Sequence, residues 1–280
     1  MLTNLKTVLG YGRQYHCAIA AFNVFGYEDA FAVVRAAEAQ DKPVILMANK
    51  DAVAHMPVKI LGGILRGVAE SAKILVCVHL DHSPSVEKIK EGIDAGFTSV
   101  MLDASQRPFE ENAEQTIKVV EMAHPMGISV ESEIGSVGYS DPHMEAKTFY
   151  TEPEEARLFA EQTKVDALAV SVGNLHRMTT QTVHLQFDRL NSIKEMVSVP
   201  LVMHGSSGIP DMELKQAISD GICKVNIGTA LRMVFGNTLR QEMGKNPEEF
   251  DRIKLFQKCM VQVQKKAEEK IILMSTADNR

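Results

Sequence analysis

The chain has 280 residues, enough for one large core, and an α/β barrel uses about 250 residues for a single domain. Apolar residues make up 45%, tryptophan is absent, and a formal net charge of -6 supplies no basic field with which to hold nucleic acid. The amino-terminal stretch has no long apolar core or small-residue cleavage site, and no window reaches the roughly 18 uninterrupted apolar residues of a membrane span, so a cytoplasmic protein with neither nucleic-acid nor membrane partners is expected.

Eight short apolar or β-branched runs follow one another along the chain. They are "AIAAFNV" (18–24), "PVILMA" (43–48), "ILVCVHL" (74–80), "SVMLDA" (99–104), "ISVESEI" (128–134), "ALAVSV" (167–172), "PLVMHG" (200–205) and "CKVNIG" (223–228). Segments with helical spacing lie between them, such as "SVEKIKEGIDAG", with Val86, Ile89 and Ile93, and "DMELKQAISDG", with Leu214, Ala217 and Ile218. Each of these two ends in a glycine, Gly96 and Gly221, where a left-handed cap is expected. Strands alternating with helices imply parallel pairing, and eight units predict a closed (β/α)8 barrel spanning residues 1–280 as one domain, an open doubly wound sheet being the alternative. From about Arg232 the tail is helical in pattern, a closing amphipathic segment that covers the barrel or a second subunit. Cys17, Cys77, Cys223 and Cys259 are far apart with no C-x-x-C pair, which predicts buried reduced thiols.

In a parallel barrel the working residues sit at the carboxyl ends of the strands. The unusual polar residues of this chain fall there: Asn23 closes the first run, Asp81 and His82 the third, Asp103 and Ser105 the fourth, and Glu131 and Glu133 lie in the fifth. Asn174 and His176 follow the sixth, His204 closes the seventh, and Asn226 and Thr229 the eighth. A single histidine at a strand end is commonly a hydrogen-bonded structural residue; three on different strands suit a catalytic zinc site, which takes neutral imidazoles and keeps an open position. His82, His176 and His204 are the candidate ligands. His16, His55, His124 and His184 read as surface or loop residues, and His79 as a satisfied core residue or a partner of a ligand. "HGSSG" (204–208) and "NIGT" (226–229) add a candidate anion site, because the loops after strands seven and eight are the recurring phosphate site of barrels.

In order and spacing, "HLDHS", "VMLDAS", "VESEIG", "VGNLH", "LVMHGSSGIP" and "KVNIGT" resemble the class II, zinc-dependent ketose-bisphosphate aldolases of the fructose- and tagatose-bisphosphate type, from about residue 5 to beyond 230. The resemblance implies zinc on His82, His176 and His204, and Asp81 as the acid/base that takes the C4 hydroxyl proton, although Asp81 could instead orient a histidine. It implies that Gly205, Ser206, Ser207, Asn226, Ile227, Gly228 and Thr229 hold the phosphate and backbone of dihydroxyacetone phosphate, near a monovalent cation (Na+ or K+), in a homodimer or homotetramer. Asn23, Asp103 and Ser105 join the expected substrate contacts. Asp103 and Glu133 have the alternative of orienting histidine ligands, and Glu133 that of being an alternate metal ligand.

Three departures from the family pattern all border the substrate. Arg177 stands where the family has glycine after the second zinc histidine. The loop after the fifth strand reads "GSVGYSDPHMEAK", shorter than in the family, with Tyr139 for a second glycine and Asp141 near the position of the acid that protonates the enediolate carbon. Asn49, followed by Lys50, replaces a serine or threonine after the second strand. The expected activity is therefore cleavage of a phosphorylated or otherwise anionic ketose, with Asn49, Lys50 and Arg177 among the contacts that set its identity. Two alternatives belong to other classes: a catalytically weak paralogue serving as a regulatory or stabilising subunit, which has no need of Asp81 and three histidines, and a metal-dependent sugar-phosphate epimerase, which needs a second carboxylate as clearly placed as Asp81.

Overall fold

The computed structural model describes residues 1–140 and 147–275. A short strand, β1 (Leu2–Thr3), precedes eight longer ones: β2 (Ile19–Asn23), β3 (Val44–Ala48), β4 (Val76–Ser83), β5 (Ser99–Leu102), β6 (Ser129–Ile134), β7 (Ala167–Val170), β8 (Leu201–Met203) and β9 (Ile222–Ile227). Each pairs in parallel with the next; β9 returns to β2, and β4–β5 completes the circle. This is the closed (β/α)8 barrel expected from the eight runs, and the open sheet is excluded. The two-residue β1, too short to carry a sequence pattern, pairs alongside β4.

The period-2 rule of a strand sorts the side chains into two cores. Ala20, Phe22, Leu46, Val78, Val100, Leu168 and Val225 face the surrounding helices. Ile19, Ala21, Ile45, Met47, Cys77, Ala167, Ala169 and Val202 face the barrel axis, joined by Leu5, Val8 and Leu9 of α1 (Leu5–Gln14). Helix starts are set by side-chain caps: Asn4 accepts from Thr7 N–H at 3.0 Å, Asn49 from Ala52 N–H at 3.1 Å at the start of α3 (Lys50–His55), and Ser85 from Lys88 N–H at 3.4 Å. Gly96 and Gly221 have φ of 89° and 115°, the left-handed geometry that glycine adopts without penalty at a helix end.

The tail forms α10 (Thr229–Lys245) and α11 (Arg252–Ser275). α11 buries Cys259, Val263, Ala267, Ile271 and Met274 on one face. Most of that face joins the outer core, so the tail covers the barrel itself. All four cysteines are unpaired, three of them buried. Among the described residues no helix is long and apolar enough to cross a membrane.

One carboxylate works against the fold. Asp29, in the first turn of α2 (Tyr27–Gln40), accepts a hydrogen bond from Phe25 N–H at 3.1 Å, yet burial pushes its carboxyl up to about 6. The folded protein then holds this proton more tightly than the unfolded chain, so Asp29 costs nothing below about pH 4 and an increasing amount as pH rises to about 6, reaching ~3 kcal/mol at neutrality. Asp29→Asn keeps an acceptor without the charge. Urea denaturation is expected to show equal stability of the two forms near pH 4 and a gain of up to ~3 kcal/mol for the variant near pH 8; parallel pH profiles would show that the ionised Asp29 is not penalised.

Candidate active site

Adjacent residues of a regular strand point to opposite faces, so Asp81 and His82 should not share a site. They do, because β4 carries an extra residue: Leu80 pairs with Val100 and Ser83 with Leu102, leaving three steps on β4 against two on β5. His82 takes φ of 50°, a left-handed conformation costly for a residue with a Cβ. The bulge turns both side chains into one cavity at the carboxyl end of the barrel. Asp81 is held on both sides: Asn23 Nδ2 donates to Oδ2 and Asn226 Nδ2 to Oδ1, each at 3.2 Å. Burial opposes its charge, but His82, Lys224 and His204 outweigh it and keep the carboxyl below its usual range.

Three imidazoles converge beside Asp81. One ring nitrogen from each of His82, His176 and His204 lies within 4.8 Å of the others, a cluster that Zn–N bonds of about 2.0–2.1 Å can close with small shifts. His82 Nδ1 is taken by Asp103 Oδ2 at 2.7 Å, and Ser105 Oγ donates to the other Asp103 oxygen at 2.8 Å. His204 donates through Nε2 to Glu131 Oε1 at 3.0 Å. Among the described residues the opposite nitrogens, His82 Nε2 and His204 Nδ1, are buried without a hydrogen-bond partner. Metal-binding histidines have this arrangement, one nitrogen fixed by an oxygen and the other turned to the ion. Glu133 Oε2 is 3.3 Å from His204 Nδ1 and outside hydrogen-bond geometry, while its Oε1 accepts from Val137 N–H.

Burial lowers the basicity of all three rings, and their neighbours decide the outcome. Asp81 and Asp103 carry His82 up to about 10, Glu131 and Glu133 raise His204, and His176, facing the other two cations, falls well below the usual histidine range. His176 is placed by backbone: its N–H donates to Gly138 O at 2.9 Å and its carbonyl accepts from Ser140 N–H at 3.1 Å. The Tyr139 ring lies 4.9 Å from the His176 ring. The loop after β6 thus clamps the loop after β7.

The rim combines glycine-containing loops with three cationic side chains. Gly205 (φ 66°), Ser206, Ser207, Asn226, Gly228 and Thr229 line the cavity, with α10 starting at its edge. A Cβ on Gly205 would stand 2.4 Å from the Leu175 carbonyl oxygen, so only glycine fits. Lys50, Arg177 and Arg232 line the same cavity. Both arginines donate to Asp51 Oδ2 at 3.2 Å, Lys50 Nζ and the Arg177 guanidinium lie 5.2 and 5.7 Å from the Tyr139 ring centre, and Arg232 lies 4.9 Å from that of Phe25. Arg177 has φ of 60°, which is why glycine suits this position.

Of the residues singled out from sequence, Asn23, Asn49, Lys50, Asp81, His82, His176, Arg177, Gly205, Ser206, Ser207, Asn226, Gly228 and Thr229 line this one cavity. Asp103, Ser105 and Glu133 stand behind the histidines, and Ile227 is buried in the outer core. Asn49 also caps α3. Asp141 lies outside the described residues. His79 is buried with Nδ1 2.8 Å from Ser99 Oγ. Sequence reasoning passed over Phe25, Asp51 and Arg232 as cavity residues, and over Lys224 beneath the site. The signal for Arg232 was its place one helical turn into the helix that follows the eighth strand.

The family model described as "Fructose-bisphosphate aldolase class-II" matches residues 3–279. The fructose-bisphosphate aldolase of Geobacillus stearothermophilus is 36% identical over 259 residues, covering 91% of this chain and 90% of the relative. That of Giardia intestinalis is 34% identical over 276 residues, covering 89% and 85%. Among solved structures, the YdjI aldolase of Escherichia coli K12 is 34% identical and superposes with a TM-score of 0.86 over 99% of each chain. The fructose-bisphosphate aldolase of Campylobacter jejuni, at 23% identity and a TM-score of 0.82, shares the fold, with coverage of 99% and 97%. With the family model matching nearly end to end, the chain belongs to the class II fructose-bisphosphate aldolase family, and it is an enzyme of the lyase class.

Proposed function

We propose that the protein is a zinc-dependent aldolase that reversibly cleaves a phosphorylated ketose of the fructose or tagatose 1,6-bisphosphate kind to dihydroxyacetone phosphate and an aldehyde. The observation that carries this reading is the convergence of the unpartnered His82 Nε2 and His204 Nδ1 with His176 beside a carboxylate, Asp81, gripped by two amides. Zinc held by the three histidines would act as a Lewis acid on the ketose oxygens and as the sink for the charge left by bond cleavage. Asp81 takes the C4 hydroxyl proton as the C3–C4 bond breaks and returns it in the condensation direction. Asn23 and Asn226 fix its two oxygens, so the carboxylate arrives pre-oriented. Gly205, Ser206, Ser207 and the start of α10 offer backbone N–H groups and a helix N-terminus to the phosphate.

Arg177, Lys50 and Arg232 extend this reading to specificity. In a glycine-lined site a monovalent ion supplies positive charge near the phosphate; here a guanidinium that lines the cavity takes that part, with Asp51 as its counter-charge until an anionic group of the substrate arrives. Assembly as a homodimer or homotetramer and a cytoplasmic location complete the proposal.

Three results are expected. The purified protein holds one zinc per chain by elemental analysis, and His204→Ala loses it, its affinity dropping by more than the 10–100-fold typical of a lost partner of a ligand; full zinc content and unchanged activity in that variant would exclude the site. Asp81→Asn keeps fold and zinc but cleaves about 10²–10⁴-fold more slowly; a loss under about tenfold would make Asp81 an orienting group. Arg177→Gly relieves the left-handed strain, raises KM by a factor equivalent to roughly 1.5–3 kcal/mol, and makes the rate depend on potassium. Kinetics of both forms with and without potassium decide that last point: identical KM values and ion responses would remove Arg177 from substrate recognition.

A further inference from the structure

The barrel axis beneath the histidine cluster is not apolar throughout. Lys224 of β9, Glu131 of β6 and His79 of β4 are fully buried there against His204 after β8, with Ile19 and Val202 paired beside Lys224 and Ala167 beside Glu131. A buried ion pair at this depth is a poor source of stability, since desolvation offsets the attraction, so what it contributes must be sought in geometry. Glu131 Oε1 accepts from His204 Nε2 at 3.0 Å and from Lys224 Nζ at 3.1 Å, while Oε2 lies 2.8 Å from Lys224 Nζ and 3.9 Å from His79 Nε2. The ammonium donates to Oε1 and sits against Oε2 outside hydrogen-bond geometry, so its charge bears on both oxygens and constrains the plane of the carboxylate. A carboxylate fixed in that plane presents Oε1 to His204, and a ring bonded through Nε2 has its Nδ1 facing His82 and His176.

We infer that Lys224 is a positioning residue: acting through Glu131, it locks His204 in the orientation that aims Nδ1 at the metal. This rests on the reading of the three histidines as a zinc site. Asp103 and Ser105 hold His82 from the rim, and Lys224 with Glu131 holds His204 from below. The opposite charges of the pair cancel, so the strut sets direction without adding net charge under the cation. An apolar residue at 224 would leave the Glu131 carboxylate buried without its ammonium partner, free to turn away from His204.

The test is a cycle of Lys224→Met, Glu131→Gln and the double variant, with zinc dissociation constants from competition with a chromophoric chelator and crystal structures of the metal-free proteins. Lys224→Met should weaken zinc about 10–100-fold, the range for lost partners of metal ligands, with the His204 ring turned off Glu131. In the Glu131→Gln background the same substitution should change zinc affinity by less than about twofold, because the carboxylate that Lys224 braces is already gone. If Lys224→Met does not fold, the double variant, which removes both charges, should fold and bind zinc as Glu131→Gln does. The inference is overturned if zinc affinity changes by less than about twofold in Lys224→Met with His204 still bonded to Glu131, or if the loss is the same in both backgrounds. A wild-type protein that takes no zinc would sink the reading of the site as a zinc centre, and the metal-free structures would still decide whether Lys224 sets the His204 ring.

Discussion

The site depends on a single extra residue in β4. Without it the alternation of a strand would send Asp81 toward the barrel axis and His82 into the helix layer, and the carboxylate and the first of the three imidazoles would never meet. The bulge has a cost, a left-handed backbone at His82, and that cost is tolerated because both side chains are then fixed from outside the strand, Asp81 by two amides and His82 by Asp103. Strain, burial and hydrogen bonding are thus concentrated on two adjacent residues, while the apolar rest of the strand holds the barrel together.

Around that pair the structure separates two tasks. The inward part is buried: Glu131, Glu133 and Lys224 lie beneath the cluster. The outer part is cationic and partly exposed: Lys50 and Arg177 lie over Tyr139 and Arg232 over Phe25, the two arginines sharing Asp51. The first part is made of residue types that resemble the family pattern, and the second contains the departures from it.

Much of this could be read from the sequence because it lies in residue type and strand position. Eight apolar runs with polar ends gave a closed parallel barrel, and the glycines at 96 and 221 marked helix ends that the structure confirms. The three histidines and Asp81 stood out because ionisable groups at strand tips are rare without a task. The bulge was not legible: "VCVHLDHS" reads the same with or without it, since it appears only in the pairing with β5. Lys224 was hidden because a lysine in a strand ordinarily reads as solvated, and its partner Glu131 is 93 positions away. The shared use of Asp51 by Arg177 and Arg232 joins segments 126 and 181 positions apart, which no local spacing reveals.

The most direct measurement is a crystal structure of the zinc-loaded protein with anomalous data collected at the zinc edge. One peak is expected, about 2.0–2.1 Å from His82 Nε2, His204 Nδ1 and one nitrogen of His176, with His82 Nδ1 still on Asp103 and Asp81 free of the metal. A peak bound through His82 Nδ1, a zinc ligated by Asp81, or no ordered zinc at the three imidazoles would contradict the arrangement that the bulge creates.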